Sequence, residues 1–570
     1  MRTNSARWAA LLAVPLLAAC GGAVSIDEGA EGESFDATDK FLTTHAAGHK
    51  ALPVNTDPST QVWAVTAAWS DTDTTAARQA GLAWGASSGL RWDEKFSKWV
   101  DSLPALNIEN GTRTYSLTTP YGKTLRMPVL ECSEQALLLR TVFASWYGLP
   151  FFVEATDGKT RIFLGHFGFR SAAGRYKGTP NFKLAYADYS ARGASALTNW
   201  PHDANLRAKH LSGYDNNDFL APGAGFGAWA DEALLNKRVA YMLLFLLDWF
   251  GSMNLADSSN AYHLQPAALR TGDFLLERWQ TNGIGHTLIL KDVTPLPSAQ
   301  FAVELASGSM PRRAPRWDDA AWSRSYFLSE ITGGVGNADD GAPYARLGGG
   351  LRRYRVAQNV SGYWVNNVPS WDVQKAIDES DLPSIAARPE QFRALLADVS
   401  PQQKLALLLS QIDQARANLQ QHPASCTSRT QREAFFLELY QFAQDRLGMT
   451  RAQVDAKYRA TADYYFPELR YGASPTCCWN STTQQMYSLV DRFNRSRESA
   501  SHACLPVVAF TKANYPQFKA YAAQVGESAN WMEWSEDETC AQRAVADDEK
   551  LAQVAVDYCS IRPTLEASGR

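Results

Sequence analysis

Three regimes of apolar spacing divide the chain. Residues 8–19 form an almost unbroken apolar run of 12, preceded by Arg2 and Arg7. That length is too short to span a bilayer and matches the apolar stretch of an export signal, which assigns residues 1–19 to an address. Residues 20–60 offer little to bury: Gly21 and Gly22 lead into Asp27, Glu28, Glu31, Glu33, Asp36 and Asp39, the composition of a tether. Between 61 and 330 helix-like and strand-like patterns mix. Apolar positions 136, 137, 139, 143 and 146 have helical spacing, closed by Gly148 and Pro150. His286-Thr-Leu-Ile-Leu290 and residues 300–307 read as strands after turn-rich segments. The apolar run 239–247 stops at Asp248 and predicts a buried helix. Residues 331–388 form a Gly- and aromatic-rich extension. From about 389 the pattern turns helical, with helices expected over 392–419, 432–447, 483–493 and 547–556. The predicted class is α+β over 61–330, followed by an all-α domain over 389–570.

The start of the chain carries a resemblance. Leu17-Ala18-Ala19-Cys20 resembles the lipobox of bacterial lipoproteins. That resemblance implies cleavage before Cys20, lipidation of its sulfur and a membrane anchor in the cell envelope, outside the cytoplasm. Gly21 instead of aspartate gives no inner-membrane retention signal, so an outer-membrane address is the expectation. A formal net charge of −4 leaves no electrostatic footprint for nucleic acid.

Export changes how the eight cysteines read, because paired thiols persist in oxidising compartments. With Cys20 set aside, Cys426, Cys477, Cys478, Cys504, Cys540 and Cys559 are an even set in one segment, expected to form three disulfides of undetermined pairing. A zinc site lacks the CxxC or histidine spacing it needs, and no cofactor is expected. Cys132 is left over. It falls at the start of the predicted helix, where backbone N–H groups and the macrodipole favour thiolate and can contribute to an oxyanion hole. Against this, free cysteines often merely pack.

A thiol nucleophile needs a base. His286 follows Gln280-Thr-Asn-Gly-Ile-Gly285 and opens a strand; His166, in Gly165-His-Phe-Gly168, is the nearest competitor. A cysteine opening a helix, a Gly272-Asp273 strand start and Gly285-His286-Thr287 resemble the papain-like fold of NlpC-type cell-wall cysteine peptidases, over roughly residues 115–315. The resemblance implies a nucleophilic Cys132, a basic His286, and cleavage of wall peptide or another amide through a thioester. The separation of Cys132 and Gly272 by 140 residues departs from a compact member. It leaves room for a lid or specificity insertion, or for a closer relation to transglutaminase-like enzymes. A non-catalytic binding or scaffold lipoprotein is the alternative from another class. For the residue that orients His286, a hairpin centred near Leu296 sets His286 opposite Ala306 and makes Glu304 its diagonal neighbour.

Arginines at 312, 313, 316, 346, 352, 353 and 355 read as solvated charge before they read as a polymer-binding patch. Gly348 to Gly350 lack a phosphate-loop context. Residues 363–367 read as an ordinary strand and turn in preference to a sugar platform.

Overall fold

Mixed helix and sheet is what the computed structural model shows. It describes residues 47–80, 83–85, 87–108, 112–213, 215–281, 285–296, 299–338, 340–398, 400–471, 482–501, 504–531, 548–550 and 558–559. Cys20, Cys477, Cys478 and Cys540 lie outside these, as does the side chain of Cys426. Two compact bodies divide the chain, with the boundary between Val399 and Ser400.

In the first body, α1 (Trp92–Ser102) and α2 (Cys132–Trp146) build the centre. Helix α2 starts with a reciprocal cap, since the Glu131 N–H donates to the Glu134 carboxylate at 2.7 Å. It ends at Gly148, whose φ of +60° and whose approach to Thr66 both exclude a side chain: a Cβ there would lie 2.1 Å from Thr66 Oγ1. Every residue from Ser133 to Ala144 is buried. The apolar run predicted as a buried helix is α3 (Lys237–Trp249), packed against α2. Between Cys132 and Gly272, α2 and α3 therefore supply core, whereas residues 183–205 are largely exposed.

The sheet follows in chain order as β1 (Ala261–Leu264), β2 (Phe274–Glu277), β3 (His286–Pro295), β4 (Phe301–Ser307), β5 (Arg316–Trp317), then α4 (Ala320–Phe327), β6 (Gly350–Tyr354), β7 (Ala376–Ile377) and α5 (Arg388–Leu395). Its spatial order is β5-β4-β3-β2-β6-β1-β7, antiparallel throughout. Side chains alternate across it with period two. Phe274, Leu276, Ile289 and Ala306 join the core around α2, whereas Leu275, Leu288, Leu290 and Leu305 pack with Phe327 of α4 and Phe392 of α5.

The extension 331–388 is therefore not an appendage, because it supplies the interior strand β6 and the edge strand β7. The second body begins at 400, not 389. Strand Lys50–Pro53 pairs with Tyr363–Asn367, so the tether ends before residue 60. Arginines expected at the surface are also inside: Arg352 meets Glu379 at 2.7 Å, and Arg353 meets Asp273 and Asp372 at 2.6 Å each.

The second body holds α6 (Pro401–Gln421), α7 (Cys426–Leu447), α8 (Arg451–Tyr458), α9 (Gln484–Ser501) and α10 (Tyr515–Gln524). The helix expected over 392–419 is two, parted where Ser400 caps Pro401. Residues 548–550, expected helical, form a strand against Leu469–Tyr471. One of the expected disulfides is present, Cys504–Cys559. Buried ion pairs complement it, with Asp463 held by Arg416 at 2.6 Å and Glu433 by Arg459 at 2.6 Å.

Phe143 of α2 lies at the centre of an aromatic cluster, its ring centroid 4.9 Å from Tyr147, 5.3 Å from Phe96 and 5.4 Å from Trp99. Phe143→Ala is expected to destabilise the first body by ~3–5 kcal/mol in urea titration, because rigid rings around it cannot collapse into the void. A change below ~1 kcal/mol would contradict this packing.

Candidate active site

The first turn of α2 is fixed from outside the helix. Arg312 is buried and donates to the Glu134 carboxylate at 2.6–3.0 Å, and to Asp248 of α3 at 3.2 Å. Next in sequence, Arg313 pairs its backbone with Leu130, two residues before Cys132: the Leu130 N–H donates to the Arg313 carbonyl at 2.8 Å. Gly308, just past β4, lets this turn approach, since a Cβ there would lie 2.2 Å from Leu130 O and 2.6 Å from Glu131 O.

These contacts set Cys132 beside the start of β3, where β4 has already ended. Its Sγ lies 3.7 Å from the Gly285 carbonyl oxygen and receives the Thr287 N–H, so the thiol touches the backbone on both sides of His286. The helix start does not leave it ionised. Burial pushes the thiol up to about 12, the charges of Glu131 and Glu134 add to this, and the N–H groups of Thr287 and Ser133 oppose it only in part.

His286 belongs to the face of β3 that looks away from the body of α2, with Leu288 and Leu290. Its ring centroid is 6.4 Å from that of Tyr326 on α4. It has no hydrogen-bond partner among the described residues, and no bond joins it to Cys132. Burial pushes the imidazole down to about 3, and the cations of Arg313 and Arg316 add to the shift.

Glu304 does not serve His286. The strands pair Pro295 with Phe301 and Asp292 with Glu304, so the hairpin is centred beyond Leu296 and Glu304 lies opposite Asp292. Asp292 is six residues, ~20 Å of strand, from His286. Glu304 instead pairs with Arg113 at 2.9 Å. The carboxyl that the sheet sets directly across from His286 is Glu277, on the preceding strand. It makes no hydrogen bond or ion pair among the described residues, and burial raises it to about 8. The short turn 280–285 contained this signal, since closing it as a hairpin pairs Glu277 with His286.

No protein-family model, no curated protein and no solved structure matches this chain.

Four other histidines among the described residues have structural partners. His166 is buried in a hairpin turn, with Nδ1 3.0 Å from Phe151 O, and burial lowers it to about 4. His263 bonds Glu379 at 3.1 Å. His210 bonds Asp215 at 2.7 Å. His202, Asp231 and Glu232 converge as metal ligands would, but Lys237 and Arg207 already hold both carboxylates at 2.6 Å.

Cys132, His286, Glu277 and the Arg313–Arg316 pair thus converge at one corner of the sheet. In the fold Glu277 keeps its proton to about 8, against about 4.3 in an unfolded chain. The folded state therefore binds this proton more tightly, and its contribution to stability declines as pH rises through that window. Glu277→Gln removes the decline. The melting temperature of the variant relative to wild type is expected to rise between pH 5 and pH 8. A difference that stays constant across this range would contradict the burial of an unpaired carboxyl.

Proposed function

We propose that this chain is an envelope lipoprotein whose first body is a papain-like cysteine hydrolase acting on amide bonds, with cell-wall peptide as its substrate. The observation that carries the reading is the contact of the Cys132 thiol with the backbone of Gly285 and Thr287, which brackets His286. A thiol at the first turn of a buried helix, beside a strand that opens with a histidine, supports a nucleophile–base pair for acyl transfer to sulfur, in which substrate binding brings the imidazole within hydrogen-bond reach of the thiol.

In the resting state both partners are neutral, a thiol near 12 and an imidazole near 3. Attack is therefore coupled to proton transfer. As Sγ bonds to the scissile carbonyl carbon, its proton passes to His286, and the N–H groups of the first turn of α2 face the oxygen that gains charge. His286 then gives the proton to the departing amine, leaving an acyl thioester on Cys132. Water, activated by the same imidazole, cleaves the thioester and returns the thiol. Glu277 is the positioning residue in this scheme. Directly opposite His286, it ionises as imidazolium forms and stabilises that cation.

The test uses wall fragments incubated with wild-type protein, Cys132→Ala and His286→Ala, followed by mass spectrometry. Cys132→Ala is expected to abolish product formation, and His286→Ala to lower it by ~100-fold or more. A product heavier by one water marks hydrolysis, whereas an exchanged amine marks transfer to a second nucleophile. Identical products from wild type and Cys132→Ala would overturn the enzymatic reading in favour of a binding or scaffold role.

A further inference from the structure

The large sheet carries a second feature far from Cys132. Its edge strand β7 is four places from β3 in the sheet order, roughly 19 Å at ~4.8 Å per strand. There β7, the turn after β1, the short helix Leu382–Ala386 and α5 enclose a groove of about 430 Å³. That volume falls in the range that small ligands occupy.

The lining divides by chemistry. Pro266, Ile377 and Leu395 give it apolar walls, and Gln265, Asp378 and Asp381 stand among its polar groups. These polar groups offer lone pairs. One Gln265 N–H donates to the Gln374 carbonyl at 3.1 Å, which leaves the Gln265 oxygen to accept. Asp378 accepts the Ser380 N–H at 2.8 Å and Asp381 accepts the Ser384 N–H at 3.2 Å. Both bonds lie within the local turn, and both use Oδ1. Among the described residues the Oδ2 of each carboxylate has no donor.

Charge sharpens the picture. Five carboxylates fall between residues 372 and 390. Asp372 meets Arg353 at 2.6 Å and Lys375 at 2.9 Å, Glu379 meets Arg352 at 2.7 Å, and Glu390 meets Arg393 at 2.9 Å. The two left without a cation among the described residues, Asp378 and Asp381, are the two that line the groove. Unmatched carboxylates beside apolar walls complement a cation on an aliphatic stem. A lysine side chain has both parts, a compact ammonium with three donors and a methylene stem that packs along apolar surface.

We propose that this groove binds a lysine-type alkylammonium carried on a peptide, with the ammonium on Asp378 and Asp381 and the stem against Ile377 and Leu395. The claim does not rest on the chemistry at Cys132. It gives the first body a separate binding function, the capture of a lysine-bearing chain at a distance from the thiol.

The probe is Nα-acetyl-lysine N-methylamide, and the norleucine analogue, which lacks only the ammonium, is the control. With the full chain, ligand-observed NMR is expected to show saturable binding of the lysine probe. The control should bind roughly 10-fold more weakly or less, since charge-assisted hydrogen bonds are lost. Asp378→Asn and Asp381→Asn should each weaken lysine binding by roughly 5-fold or more on the same ground. Asparagine caps a helix about as well as aspartate, so Asp381→Asn keeps the start of the short helix, and an unchanged melting curve verifies this. Glu390→Gln, on α5 but outside the groove, should leave binding as in wild type. The wild-type comparison of the two probes needs no variant to fold. Absence of saturable lysine binding, equal binding of both probes, wild-type affinity in both aspartate variants, or a loss in Glu390→Gln as large as in Asp378→Asn overturns the proposal.

Discussion

The arrangement of the candidate site depends on one buried clamp, the Arg312 guanidinium between Glu134 and Asp248. Glu134 is the third residue of α2 and also caps its start, so a single carboxylate closes the helix and anchors the loop after β4. Asp248 ties the same arginine to α3, and burial raises its carboxyl to about 7 even with that cation beside it. Breaking one partner of such a cluster leaves a buried charge uncompensated, which gives the clamp a single arrangement. With the first turn of α2 held there, Gly308 is forced to remain small and Cys132 is delivered to the open end of β3.

That delivery has an electrostatic consequence. The thiol, the imidazole and the Glu277 carboxyl are all uncharged at neutral pH because burial dominates each of them. Arg313 and Arg316 are the cations beside them, and their charges add to the burial that lowers His286.

Much of the fold was legible in the sequence. Apolar spacing located α2 and α3 and the strands that bear His286 and Glu304, and Gly148 marked where α2 ends. Three features were not. The β3–β4 register was missed because the hairpin is centred beyond Leu296, pairing Pro295 with Phe301, and hydrophobic alternation alone does not fix where the turn falls. The extension 331–388 looked separable because its strand β6 is contributed from a distance and lies between strands that precede it in sequence. Buried arginines resembled solvated ones, since a charge pattern does not reveal carboxylates that arrive from residues 273, 372 and 379. The thiol itself was located correctly at a helix start, but burial outweighs the dipole that was expected to ionise it.

The most direct measurement of the central claim is the mass of the Cys132 peptide after a brief incubation with a wall peptide, quenched in acid to preserve a thioester. The account predicts an acyl adduct on Cys132 that appears before product and fails to form in His286→Ala. Product release with no adduct on Cys132 at any time, or an adduct that forms equally well without His286, would contradict it.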